Sequence, residues 1–293
     1  MFDGFRLDRV DLPEVTLRVR HGGTGTPVVL LHGHPRTHTT WHAVAPQLAQ
    51  EYTVVCPDLR GYGRSTLPPD APDHAQSSKR AMARDVVDLM SALGHDRFAV
   101  VGHDRGSLVA FRTAMDHPER VTHLVVMDGL PVVEHLERTD ARFARAWWHW
   151  WFPAQDDKPA ERVITADPDA WYRTPPPEDI GPGNHADVWA ALRDPAVGHG
   201  MCEDYRAGLG IDRRHDEEDR AAGRRVGCPT LLLESTEDDL DIHGDPAAIW
   251  EPWLDRPLRH RQIGSGHHQA EEAPDEVAAA LREFLAGADA PAV

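Results

Sequence analysis

The sequence predicts an α/β protein built on a mostly parallel sheet. Short β-branched runs alternate with amphipathic helical stretches through the first half and again near the C-terminus. Polar residues suited to chemistry recur at the carboxyl ends of the predicted strands, the edge where open parallel sheets bind ligands. A Trp-, Pro- and Asp-rich segment interrupts this rhythm and has the composition of an insertion. The 293 residues suit one large core carrying a modest insertion. With 41% hydrophobic and 27% charged residues, collagen-like, low-complexity and disordered classes are excluded.

Five segments of the first half read as strands: Val15–Arg20, Pro27–His32, Thr53–Asp58, Phe98–His103 and His123–Asp128. Between them, Met82, Val86, Leu89 and Leu93 recur at helical spacing within Arg80–Leu93, with Gly94 as the stop, and Ser107–Met115 reads as a second helix. From Leu130 to about Gly223 the composition changes, with AWWHWWF at its start and TPPPEDIGPGN in its middle. Within it, Arg213–Arg225 (RRHDEEDRAAGRR) reads as a solvated mixed-charge face. Strands at Pro229–Glu234 and Arg256–Ile263 and a helix at Pro274–Ala286 resume the pattern. The organisation expected is a core in two parts, 1–130 and 224–293, interrupted by a helical cap at 131–223. There is no internal repeat.

Charge narrows the partners. The 31 basic residues against 48 acidic ones give a net charge of −17, a field that repels nucleic acid and anionic lipid surfaces. A small-molecule substrate is the expected partner, and the tryptophan-rich segment could cover either an active site or a homodimer interface. No stretch approaches the roughly 18–20 apolar residues of a membrane span, and the first residues lack the pattern of a secretory signal, so a cytoplasmic location is expected. Cys56, Cys202 and Cys228 are too scattered for a disulfide framework, and the 19 histidines form no His-Glu-x-x-His pattern. Neither a metal nor any other cofactor is expected.

The chemistry centres on Gly102-His103-Asp104-Arg105-Gly106, a Gly-x-nucleophile-x-Gly turn between a strand and a helix. Its central residue is an aspartate. A carboxylate attacking an acyl carbon would give only a mixed anhydride, whereas at saturated carbon it displaces a leaving group and forms an alkyl ester. Dehalogenation or epoxide opening follows from that choice. Upstream, His32-Gly33-His34-Pro35 supplies a backbone N–H at His34 that, with the N–H of Arg105, would form an oxyanion hole. Downstream, Gly264-Ser265-Gly266-His267-His268 offers His267 as general base, oriented by either Asp128 or Asp238. Asp58 reads as a turn cap before RGYGRS.

Taken jointly, HGHPRTHTTWHAVAPQL, YTVVCPDLRGYGRS, GHDRG, AMDHPERV, VVMDGLP, ARAWWHWWF and CEDYRAG resemble, in order, segments of the haloacetate (fluoroacetate) dehalogenases of the α/β-hydrolase superfamily. The resemblance implies an α/β-hydrolase fold with an inserted helical cap and a carbon–halogen hydrolase working through an aspartyl ester. It makes Asp104 the nucleophile, His267 the base and Asp128 its partner, with Asp238 the alternative acid. It also implies that Arg105 holds the substrate carboxylate and that His149, Trp150 and Tyr205 form the halide pocket. Trp147, Trp148 and Trp151 are expected to pack the cap against the core. One departure stands out: Leu108 occupies the place of a second carboxylate-binding arginine, which favours a larger, less polar substrate. Arg36, Arg112 and Arg145 are expected in structural or surface roles. An epoxide hydrolase is the alternative, and it would need Tyr172 and Tyr205 as acids. A ligand receptor on the same fold would have no need of nucleophile, base and acid together.

Overall fold

The computed structural model describes residues 1–156, 159–173 and 175–287. Eight strands form one sheet: β1 (Arg6–Asp11), β2 (Thr16–Gly22), β3 (Thr26–Leu31), β4 (Tyr52–Pro57), β5 (Phe98–His103), β6 (Val121–Met127), β7 (Thr230–Ser235) and β8 (Arg259–Ile263). Their spatial order is β1-β2-β4-β3-β5-β6-β7-β8. Strands β3 to β8 pair in parallel, while β1–β2 and β2–β4 are antiparallel.

The central strands are apolar on both faces because each face is covered. On β6, Leu124 and Val126 point into one core cluster and Val125 and Met127 into the other. Helices α1 (Lys79–Ala92) and α2 (Arg105–Asp116) cover the first face with Met82, Val86, Leu89, Val109 and Phe111. The terminal helix α4 (Pro274–Ala286) covers the second with Val277, Leu281 and Phe284. The expected strands appear within a few residues of their predicted bounds, except that the last begins at Arg259, beyond Pro257. Strand β1 is the one that sequence reading missed. Its RLDRVD is largely exposed and charged, as suits a sheet edge, and carries no buried apolar alternation to read.

Between β6 and β7 the chain makes a helical insertion running from Val132–Glu137 to Arg213–Ala221, with α3 (Pro195–Ala207) as its longest helix. Its unusual composition is the punctuation of short helices. Asp140, Asp167 and Asp194 accept N-cap hydrogen bonds, and Pro168, Pro177, Pro182 and Pro195 occupy first helical positions. The expectation of a purely solvated Arg213–Arg225 needs correction. Asp216 and Asp219 are buried and pair with Arg112 of α2, with Asp216 at 2.6 Å, which ties this helix to the core. Among the described residues no helix is long and apolar enough to cross a membrane.

Candidate active site

The turn from β5 into α2 puts Asp104 at φ +51°, ψ −119°, a conformation that non-glycine residues rarely adopt. The flanking glycines serve proximity: a Cβ at Gly102 would lie 2.0 Å from the Gly106 carbonyl oxygen, and one at Gly106 would lie 2.4 Å from that of His32. The strand and helix therefore meet backbone to backbone, and the strained residue between them projects its carboxylate above the sheet. Gly33 leaves room for it, since a Cβ there would meet Oδ1 of Asp104 at 2.3 Å.

Two N–H groups address that carboxylate. The His34 N–H donates to Asp104 Oδ1 at 2.6 Å, and the Arg105 N–H also bonds the carboxylate. These are the two donors expected of an oxyanion hole. Burial pushes the Asp104 carboxyl upward, but the charges of His267 and His103 and the Arg105 N–H outweigh it and hold Asp104 below its ordinary range. His32 is structural: its Nε2 accepts from Leu59 N at 3.0 Å while Nδ1 faces the Gly33 carbonyl. Asp58 is fully buried and does cap the following turn, accepting from Arg64 N at 2.9 Å.

His267 follows β8 and turns Nε2 toward Asp104 Oδ2 at 3.8 Å, beyond direct hydrogen bonding. Its Nδ1 bonds Asp238 Oδ2 at 2.7 Å. Here the geometry departs from the Asp128 assignment. Asp128 spends its carboxylate on Ser235 N, Ser235 Oγ and Gln269 Nε2, and burial pushes it up to about 6. It lies near His267 without being its hydrogen-bond partner. Burial lowers the His267 imidazole, yet the bond to Asp238 and the charge of Asp104 raise it to about 9. The His103 Nε2–H donates to the His267 carbonyl at 2.6 Å, and burial lowers this imidazole to about 4. His268 is kept neutral by burial and by the nearby Arg36 charge.

Above these residues lies a cavity of about 610 Å³. His34, Asp104, Asp238 and His267 line its floor, and the insertion supplies His149, Tyr205, Tyr172, Trp148 and Trp171. His149 is lowered by burial to about 4, so at neutral pH it carries one N–H. Burial and the nearby Asp104 charge raise the Tyr205 phenol well above its usual value, which keeps it a donor. Tyr172 also lines the cavity, and burial raises its phenol. Sequence reading had named it without a motif to place it. Trp148 is a second correction: expected to pack on the core, it is 53% exposed at the cavity wall, edge-on to Trp171 at 5.3 Å. Trp147 and Trp151 do join a small aromatic core around Phe143.

Two expected site residues are withdrawn from the cavity. Trp150 is 2% exposed, packs with Phe143 and Tyr205, and does not line the cavity. The Arg105 guanidinium is fully buried beneath the Tyr205 ring, 4.4 Å from its centroid. Its Nε and Nη2 donate to the Asp204 carboxylate at 2.9 Å each, so two of its donors are already engaged and only Nη1 lacks a partner. Asp204 also pairs with Lys79 and accepts from Tyr62 Oη at 2.7 Å. Lys79 pairs in addition with Asp212, so two cations meet two carboxylates and the cluster is balanced. Sequence reading had drawn only Tyr205 from CEDYRAG and missed its neighbour Asp204.

Leu108 is 5% exposed on α2, and Arg36 and Arg112 are tied to Glu271 and to Asp216 and Asp219, as their structural reading required. Among the described residues, three groups bring metal-capable atoms within 4.8 Å: His103, His267 and His268; Asp128, Asp238 and His267; and Asp70, His199 and Glu203. In the first two, His267 is already held by Asp238, and a metal would take the nitrogen that faces Asp104.

A carboxylate on a strained strand-to-helix turn, backbone N–H groups addressing it and an imidazole held by a second carboxylate define a hydrolase site. The model of the alpha/beta hydrolase fold matches residues 26–274, and the chain belongs to this family. It is 42% identical to a fluoroacetate dehalogenase from Burkholderia sp, over 98% of this chain and 96% of that protein. Among solved structures, a candidate alpha/beta hydrolase from Nostoc sp PCC 7120 superposes with a TM-score of 0.94 at 40% identity, covering 98% and 100% of the two chains. A candidate epoxide hydrolase from Pseudomonas aeruginosa does so with 0.89 at 40% identity, over 97% and 96%.

Proposed function

We propose that the protein hydrolyses the carbon–halogen bond of a short haloacid through an ester on Asp104, with the insertion at 131–223 acting as a cap over the core segments 1–130 and 224–293. The observation that carries this reading is the division of labour at Asp104. Oδ1 is held by the His34 N–H, while Oδ2 faces the cavity and His267. Oδ2 attacks the halogen-bearing carbon, the carbon–halogen bond breaks, and the halide leaves with the bonding pair toward the His149 N–H and the Tyr205 O–H. A water then gives a proton to His267 Nε2 and attacks Asp104 Cγ. The resulting oxyanion forms on Oδ1, against the His34 N–H already in place there and with the Arg105 N–H nearby, a donor being worth about 3–4 kcal/mol in such sites. Collapse breaks the Cγ–Oδ2 bond, His267 returns its proton to the leaving alkoxide, and the hydroxy acid departs.

Asp238 is the acid that orients His267 in this scheme, on the strength of its 2.7 Å hydrogen bond. The 610 Å³ cavity favours a haloacid carrying an apolar substituent over haloacetate, and Leu108, buried on α2, does not line it. The test is halide release across a panel from fluoroacetate and chloroacetate to 2-chloropropionate and longer 2-chloroacids, run for one turnover in ¹⁸O water. The expected result is release that favours the substituted acids, with ¹⁸O entering Asp104. Fluoroacetate as the best substrate would contradict the size argument, and no halide from any member would contradict the activity.

One observation favours epoxide opening as a second reading. Tyr172 and Tyr205 both line the cavity above Asp104, the two phenols an alkoxide leaving group would need. Diol formation from styrene oxide without halide release from the acids would promote it.

A further inference from the structure

A second cavity, of about 270 Å³, opens between β2, the segment after the His32–Thr37 loop, the RGYGRS turn and the helix Pro182–Leu192. Strand alternation puts Arg18 and Arg20 on one face of β2, and Arg64 from the turn and His38 close around them. Asp187 is the one acidic residue in its lining. In a chain of net charge −17 this concentration of guanidinium groups requires a local reason.

The carboxylates nearby are already spent. Asp58 takes Arg18 Nε at 2.7 Å and His38 Nδ1 at 2.7 Å, and Asp187 takes Arg18 Nη1 and Nη2 at 2.9 and 2.6 Å. Arg20 and Arg64 have no ion pair among the described residues. Arg20 Nε is buried without a hydrogen-bond partner, its guanidinium lying over the Phe2 ring at 5.5 Å. His38, 1% exposed, has Nε2 buried and unpartnered as well. The forks of Arg20 and Arg64 thus line the cavity with no carboxylate of their own among the described residues.

We infer that this cavity binds a small phosphate-class oxyanion. Its oxygens would accept from the planar forks of Arg20 and Arg64. A tetrahedral oxyanion presents separate oxygens to the two forks, which chloride cannot do. The inference stands apart from the chemistry at Asp104, because none of these side chains reaches that cavity.

The test is isothermal titration of the full chain with inorganic phosphate, sulfate, glycerol phosphate and chloride at matched ionic strength. Saturable binding of phosphate and sulfate at one site, absent for chloride, is expected. Tighter binding of glycerol phosphate than of phosphate assigns the site to an organic phosphate, and the reverse order to the free anion. Arg20→Gln with Arg64→Gln should weaken the constant by at least about tenfold while leaving halide release unchanged. Arg64→Gln alone, at an exposed turn position, gives the same reading by at least about threefold if the double variant fails to fold. Unsaturable binding, a chloride response equal to that of phosphate, or unaltered affinity in a folded variant overturns the inference.

Discussion

His267 stands between three carboxylates, and their distances assign different tasks. Asp238 holds Nδ1 at 2.7 Å, Asp104 faces Nε2 at 3.8 Å, and Asp128 is absorbed by Ser235 and Gln269. Asp238→Asn should therefore lower the rate of ester hydrolysis by about 10³–10⁴-fold, the loss seen when an orienting acid becomes an amide. Asp128→Asn should affect stability more than turnover; single-turnover hydrolysis rates of the two variants check this, and the reverse order would return the role to Asp128. The pH dependence follows from the same contacts. In the resting enzyme the imidazole, raised to about 9, is protonated at neutral pH. In the proposed scheme alkylation removes the Asp104 charge, one of the causes of that rise, so His267 would become competent as a base once the ester exists. Ester hydrolysis should thus lose rate on acidification at a pH well below 9, measured by rapid quench, and an inflection at 9 would contradict the account. For stability the sign is fixed: a folded value above the ordinary 6.5 stabilises fully below 6.5, and the contribution disappears as pH rises through about 9. Asp104, His267 and the His34 N–H were legible because each sits in a Gly-bounded motif at a strand end. The choice of Asp238 was not, because two strand-end acids satisfy the same pattern and only three-dimensional distance separates them.

At the scale of elements, α2 and α3 are bolted together through Asp204. Its carboxylate, fully buried, answers Arg105 of α2 and Lys79 of α1 at once. Removing its charge leaves two buried cations without their shared partner, so Asp204→Asn should cost about 3–5 kcal/mol in urea denaturation. A loss below about 1 kcal/mol would mean that the cluster relaxes into water. The adjacent Tyr205 should be mispositioned by the same change, raising KM for the haloacid in any fraction that folds. The helices of the core were legible from their apolar spacing, and the insertion from its caps. The buried pairs Arg105–Asp204 and Arg112–Asp216 were not, because a charged residue on a helix reads as solvated until its partner is known from the fold. Strand β1 escaped for a related reason: an edge strand paired on one side needs no apolar alternation.

For the molecule as a whole, the sheet order brings Asp104 after β5, Asp238 after β7 and His267 after β8 to one edge, with the insertion closing over them. The alternating pattern announced that architecture, since parallel strands covered on both faces leave long apolar runs. What composition could not announce was where the charge sits. The chain is acidic, yet the active cavity holds three aspartates, His267 and Arg173, while Arg20 and Arg64, without an ion pair among the described residues, line a separate cavity. In the proposed scheme substrate selection would rest on shape and on the leaving-group donors more than on a strong anion clamp. The central claim is that Asp104 forms a covalent ester, and intact-protein mass spectrometry of a His267→Asn variant tests it most directly. Incubated with the haloacid panel and styrene oxide, this variant should accumulate a mass increase equal to haloacid minus hydrogen halide, located on Asp104. Absence of any adduct in a folded variant, or an adduct elsewhere in the chain, would contradict it.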